Sequence, residues 1–134
     1  MKFAAILGSA VLLAIPLRAN ECIAAKNPLS VSQVCGRIRD FNGALVPNAE
    51  MQLEDAEGKV LFTAQADSGG NFRFDSAPTG EFYLTTKTPG WHVASLIKVT
   101  GSKASKVCSR PLLVTFGIGS CGGNVGMKGY HPKF

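Results

Sequence analysis

Between residues 31 and 116, apolar and polar positions alternate with a period of two and are broken at intervals by turn chemistry. Val34, Gly36 and Ile38 share one face, with Cys35, Arg37 and Arg39 on the other. After the turn signal Asp40-Phe41-Asn42-Gly43, Ala49, Met51 and Leu53 alternate with Glu50, Gln52 and Glu54. Glu57-Gly58 turns the chain again, and Val60, Phe62, Ala64 and Ala66 form the next apolar series. Asp67-Ser68-Gly69-Gly70 is a further turn, followed by Phe72 and Phe74 set against Asn71, Arg73 and Asp75. Pro78-Thr79-Gly80 leads to Phe82 and Leu84 opposite Tyr83 and Thr85. Past Pro89-Gly90, Trp91, Val93, Ile97 and Val99 line one face, and the last clear run is Leu112 to Phe116.

This pattern predicts an all-β fold of seven short strands in an antiparallel sandwich. Clean in/out alternation argues against a parallel sheet, whose strands are apolar on both faces. No segment has the length and period of a good helix. Gly101 to Lys106 reads as a small basic loop, and six glycines from Gly117 to Gly129 read as a flexible glycine-rich tail that Cys121 can pin.

The first residues are different in kind. Lys2 is followed by an almost wholly apolar stretch from Phe3 to Ile15, then Pro16-Leu17-Arg18-Ala19 and a rise in polarity at Asn20-Glu21. That is the layout of a cleaved secretory signal, and the apolar run falls short of the ~20 residues a membrane span needs. The expected division is a signal peptide at 1–19, an N-terminal arm at 20–30, a sandwich at 31–118 and the tail at 119–134. The expected location is secreted or periplasmic, with no stable membrane insertion after cleavage. Of the 14 basic residues, Lys2 and Arg18 leave with the signal, so 12 face 9 acidic ones. This mild, scattered excess lacks the basic stripe interleaved with aromatics that nucleic-acid binding needs.

An even count of cysteines in an exported domain reads as disulfides, here Cys22, Cys35, Cys108 and Cys121. A zinc cluster or redox motif would need a Cys-x-x-Cys spacing, and the only histidines are His92 and His131. An extended strand from Leu112 to Ile118 spans about 23 Å at ~3.3 Å per residue, too far for Cys108 and Cys121 to meet unless the glycines fold back. Discounting that bridge discounts its complement, Cys22–Cys35. Two patterns remain, with Cys35 joined to Cys108 or to Cys121. Because Cys35 shares a face with Arg37 and Arg39, the bridge is expected on the outer side of its sheet.

Two stretches carry a family resemblance. One runs Gly36-Arg37-Ile38-Arg39-Asp40, then Gly43, Val46-Pro47, Ala49 and the Met51/Leu53 alternation. The other runs from Ala66 through Asp67-Ser68-Gly69-Gly70-Asn71-Phe72-Arg73-Phe74, then Pro78 to Leu84, then Pro89-Gly90-Trp91. Together they resemble the carboxypeptidase regulatory-like domain over about Val31 to Val99. The resemblance implies a seven-stranded Greek-key sandwich of prealbumin (transthyretin-like) architecture that accompanies catalytic domains without being catalytic itself. It supplies no catalytic residue to carry over.

The residues themselves offer little catalytic chemistry. His92, opposite Trp91 and Val93, reads as a solvent-facing histidine rather than a general base, and the serines lack a nucleophile-elbow pattern. Asp67 and Asn71 around two glycines lack the full spacing of a calcium loop and read as a turn. Binding has more material. Tyr83, Trp91 and Tyr130 are the candidates, since a sugar ring stacks on an aromatic's apolar face. The register of Trp91 with Val93 favours the core for it, and leaves Tyr83 the better-exposed ring. The expected function is a non-catalytic secreted or periplasmic interaction or structural module whose partner is an extracellular or envelope protein. The alternative is a carbohydrate-binding module acting on a polysaccharide. No cofactor, metal or nucleic acid is expected.

Overall fold

The computed structural model describes residues 28–75, 77–101, 108, 110–119 and 121–127. The predicted signal peptide, Cys22, Tyr130, His131 and residues 102–106 of the basic loop lie outside the described residues. The described chain is all-β, with no helix. Its strands are β1 (Leu29–Val31), β2 (Cys35–Asp40), β3 (Glu50–Glu54), β4 (Val60–Gln65), β5 (Asn71–Arg73), β6 (Gly80–Thr86), β7 (Ala94–Val99), β8 (Leu112–Phe116) and β9 (Asn124–Met127). They form a five-stranded sheet in the order β1-β7-β6-β3-β4 and a four-stranded sheet in the order β5-β2-β8-β9.

The seven strands expected from alternation are all present as β2 to β8, and the described chain adds two more. β1 is three residues long, too short to show a period, and β9 (Asn-Val-Gly-Met) lies in the glycine-rich stretch, where side-chain alternation is weak. A second expectation is corrected. The sheets are mixed, not purely antiparallel, because β1 runs parallel to β7 and β2 runs parallel to β8. Alternation reports that one face of a strand is wet and the other dry. In a sandwich both strand directions meet that condition, so the pattern carries no information about direction.

The core lies between the two sheets. Met51, Leu53, Leu84 and Ile97 from the larger sheet meet Ile38, Leu112, Val114 and Phe116 from the smaller, all at 0 % exposure. Each such side chain contributes about 1.5–3 kcal/mol by leaving water. β3 shows the alternation directly, with Met51 and Leu53 buried between half-exposed Gln52 and Glu54. In β4 the series breaks. Phe62 and Ala64 pack against the core, but Val60 is 42 % exposed because the β3–β4 register shifts between Leu53 and Glu54. The bulge places the extra residue at the Val60 end and rotates its side chain outward.

Three turns share one design. In Asp40–Ala44, Asp55–Lys59 and Asp67–Asn71, the aspartate Oδ1 accepts the backbone N–H of the third and fifth residues, at 2.8–2.9 Å. The fourth residue is always a glycine at positive φ (Gly43 88°, Gly58 84°, Gly70 77°), and its N–H donates to the aspartate carbonyl. A short side-chain acceptor and a residue without Cβ are what such a turn needs. Gly70 is also pressed against the β2 backbone, where an added Cβ would stand 2.9 Å from the Ile38 oxygen.

Candidate functional site

The outward face of the smaller sheet is built from alternate residues of β5, β2 and β8. Register sets Cys35 beside Arg73, Arg37 between Asn71 and Leu113, and Arg39 beside Thr115. The Arg37 Nε donates to Asn71 Oδ1 at 3.4 Å, and the Arg39 Nε donates to Thr115 Oγ1 at 3.3 Å. Both bonds run between neighbouring strands, from β2 to β5 and from β2 to β8.

Cys35 is bonded to Cys108, with a Cα–Cα distance of 6.0 Å. This is one of the two pairings left open by the spacing, and it lies on the outer face as the shared register with Arg37 requires. Cys35 is nonetheless buried, at 2 % exposure. Cys121 is disulfide-bonded as well.

Beside the bridge opens a groove of about 720 Å³, lined among others by Arg37, Asp67, Asn71, Arg73, Asp75 and Leu113. Asp67 is drawn in by its turn. The backbone N–H of Asn71 is the main reason its carboxyl sits below the ordinary value of 3.8; desolvation opposes this, while the Gly69 N–H, the Asn71 side chain and the charge of Arg37 reinforce it. The groove thus offers guanidiniums, a carboxylate held ionised, an amide and an apolar rim. These groups suit ion pairing and hydrogen bonding to a polar partner. Among the described residues no cluster of three or more His, Cys, Asp or Glu is placed to hold a metal ion. A smaller groove of about 460 Å³ lies by Glu50, Thr63, Gln65 and Lys87 on the larger sheet.

The aromatics singled out in the sequence are not gathered into one platform. Tyr83 lies on the outward face of the larger sheet, half-buried, with Glu54 and Leu96 as its cross-strand neighbours. Next to it, Thr85 is buried and its hydroxyl donates to the Glu54 carboxylate. Trp91 lies ahead of β7, half-buried, with its ring centroid 6.1 Å from that of buried Phe116 and 6.1 Å from that of Phe41. Tyr130 is outside the described residues.

His92 corrects an expectation. It does not simply face solvent: its backbone exchanges hydrogen bonds with Gly117 (2.8 and 2.9 Å), and its Nδ1 lies 2.7 Å from the Gly122 oxygen. Phe41, which the sequence marks only as part of a turn, is 56 % exposed beside Trp91. The groove residues were visible as outward-facing, but on separate strands. Alternation cannot tell that Arg37 and Asn71 become neighbours.

Comparison with known proteins gives the following. The model of the carboxypeptidase regulatory-like domain matches residues 33–108. Colossin-A of Dictyostelium discoideum is 34% identical over 71 residues, which is 53% of this chain and 1% of that protein. The chain therefore spans a small fraction of that relative's length. No solved structure matches. The family match ends at Cys108, so β8, which is central to the smaller sheet, and β9 lie beyond it.

Proposed function

The chain belongs to the carboxypeptidase regulatory-like domain family, and from that premise we propose that it works as a non-catalytic exported module. In this reading the groove beside the Cys35–Cys108 bridge takes a polar segment of an extracellular or envelope protein. The observation that carries it is the register of β5, β2 and β8, which brings Arg37, Asn71 and Arg73 together around one opening. Three features support an oxidising, extracytoplasmic setting: the signal-like residues 1–19, the disulfide, and the involvement of Cys121 in a second bond. No helix among the described residues is long and apolar enough to cross a membrane.

The test is site-specific photo-crosslinking from Leu113 in the producing cell, with and without Arg37→Glu. One discrete adduct that Arg37→Glu abolishes is the expected result. The groove reading is overturned if Leu113 gives no adduct while a probe at Phe41 does.

A second reading rests on Phe41, whose exposed ring stands beside Trp91. Such a pair is the material of a sugar-stacking site. Pull-down against a polysaccharide panel separates the two readings. Retention that Phe41→Ala abolishes favours carbohydrate binding, and no retention across the panel removes it.

A further inference from the structure

We propose that the partner segment taken at the groove is acidic and extended, lying along β2 with carboxylates two residues apart that dock on Arg37 and Arg39. This rests on the groove reading and names the chemistry of its partner.

Arg37 and Arg39 share the outward face of β2, about 6.6 Å apart along the strand, and both are exposed. The Nε of each is engaged, one by Asn71 on β5 and the other by Thr115 on β8. That leaves the two terminal nitrogens of each guanidinium, the fork that grips a carboxylate. Among the described residues neither arginine forms an ion pair. Elsewhere cations meet carboxylates on the sheets, where register sets Lys98 directly opposite Glu81. Like charges at the spacing of Arg37 and Arg39 repel, and an anion bridging them relieves the repulsion. Asp67 is near enough to feel the charge of Arg37, but its Oδ1 is taken by the N–H groups of Gly69 and Asn71. Asp67 and Asp75 flank β5 and line that side of the groove, so an acidic segment lies toward β8.

Spacing and surface select a peptide. In an extended chain alternate side chains fall on one face, with the same repeat of about 6.6 Å, so two carboxylates at alternate residues meet both guanidiniums at once. Carboxylates on adjacent residues would point to opposite faces. Beside the arginines, the outward positions of β8 and β9 are Leu113, Thr115, Gly126 and Asn124. A Cβ built on Gly126 meets no atom within 4 Å, so the face is open where the segment's backbone has to lie. No outward position of β5, β2, β8 or β9 is aromatic, and a sugar ring would find nothing there to stack on.

The isotope-labelled oxidised protein, as its cells produce it, is titrated with the peptide Gly-Thr-Asp-Thr-Asp-Thr-Gly. NMR follows the side-chain Nε–H signals of Arg37 and Arg39. Both are expected to move with a dissociation constant below about 1 mM, and no movement at that concentration overturns the proposal. The control Gly-Thr-Asp-Asp-Thr-Thr-Gly is expected to bind about tenfold more weakly, and equal binding overturns the spacing. Raising salt from about 0.05 to 0.5 M is expected to weaken binding several-fold, and indifference to salt overturns the ion pairing. Arg39→Gln, outside the groove lining, is expected to weaken binding by about tenfold, read at Arg37; undiminished binding overturns the proposal. Movement of both signals with polygalacturonate but not with the peptide overturns the assignment to a protein partner. In the cell, a Leu113 adduct that survives Arg39→Gln overturns the acidic assignment and leaves the groove reading standing. Peptide binding at both arginines without any Leu113 adduct supports the spaced-carboxylate site and removes the groove reading.

Discussion

His92 and Gly122 are joined side chain to backbone, with 2.7 Å between the imidazole Nδ1 and the carbonyl oxygen. The contact links the segment ahead of β7 in one sheet to the β8–β9 hairpin of the other. Its geometry makes Nδ1 the donor, and the same residue's backbone is already paired with Gly117. His92→Phe keeps a ring of similar size and removes the donor. The expected cost is about 1 kcal/mol, together with faster amide exchange at Val125 and Met127. Urea unfolding and hydrogen exchange measure the two effects.

Gly36 makes the opposite kind of prediction, one of space. A Cβ built there runs into the backbone of Leu112, its parallel partner on β8. Gly36→Ala is expected to destabilise by about 1–3 kcal/mol, since backbone has to move. Gly126, across from Leu113 on β9, has no atom within 4 Å of such a Cβ. Gly126→Ala is expected to be neutral or stabilising by up to about 1 kcal/mol through the unfolded chain. Parallel thermal melts of the two variants check the contrast.

The Cys35–Cys108 bridge closes a loop with a sequence separation of 73. Replacing both cysteines by alanine is expected to cost about 2–4 kcal/mol, chiefly by freeing the unfolded chain. The measurement is the urea midpoint of the variant against the oxidised parent. The variant's groove face should also exchange faster around Arg37 and Leu113.

Asp67 links the turn to acid stability. Its carboxyl pKa is lowered in the fold, first by the Asn71 N–H. A depressed carboxylate stabilises the fold above its unfolded value of 3.8, and that contribution is lost as pH falls from there through the lower folded value. Asp67→Asn retains an oxygen acceptor for the turn and removes the titration. The expected outcome is a stability profile flatter than the parent's below about pH 4, read from denaturation midpoints across the acid range.

Much of this fold could be read from side-chain periodicity, and what could not has a common cause. Met51, Leu53, Phe82 and Leu84 announced their strands because each stands between polar neighbours on a half-wet sheet. The aspartate turns were equally plain, because their bonding is local and needs an Asp, a Gly and nothing distant. β1 and β9 were silent, one too short and the other too poor in side chains to show a period. Strand direction, the exposure of Val60, and the meeting of Arg37 with Asn71 and Arg73 depend on pairing across dozens of residues. The candidate site is made of such pairings, so only its constituent faces were legible. Phe41 is hidden for another reason: it sits inside an Asp-Gly turn, where no side-chain period exists to show which way a ring points.

The parallel pairings have a consequence for how the protein is made. Leu29 is the partner of Ile97, and Gly36 is the partner of Leu112. β2 occupies the middle of its sheet, yet one of its flanks waits on β8, far later in the sequence. A ribosome delivers the first half of each such pair long before the second. The emerging chain can close hairpins such as β3–β4 at once, but the smaller sheet stays incomplete until residues past 112 are free. Order of synthesis and order of assembly therefore run against each other, because each parallel pairing joins residues far apart in the sequence.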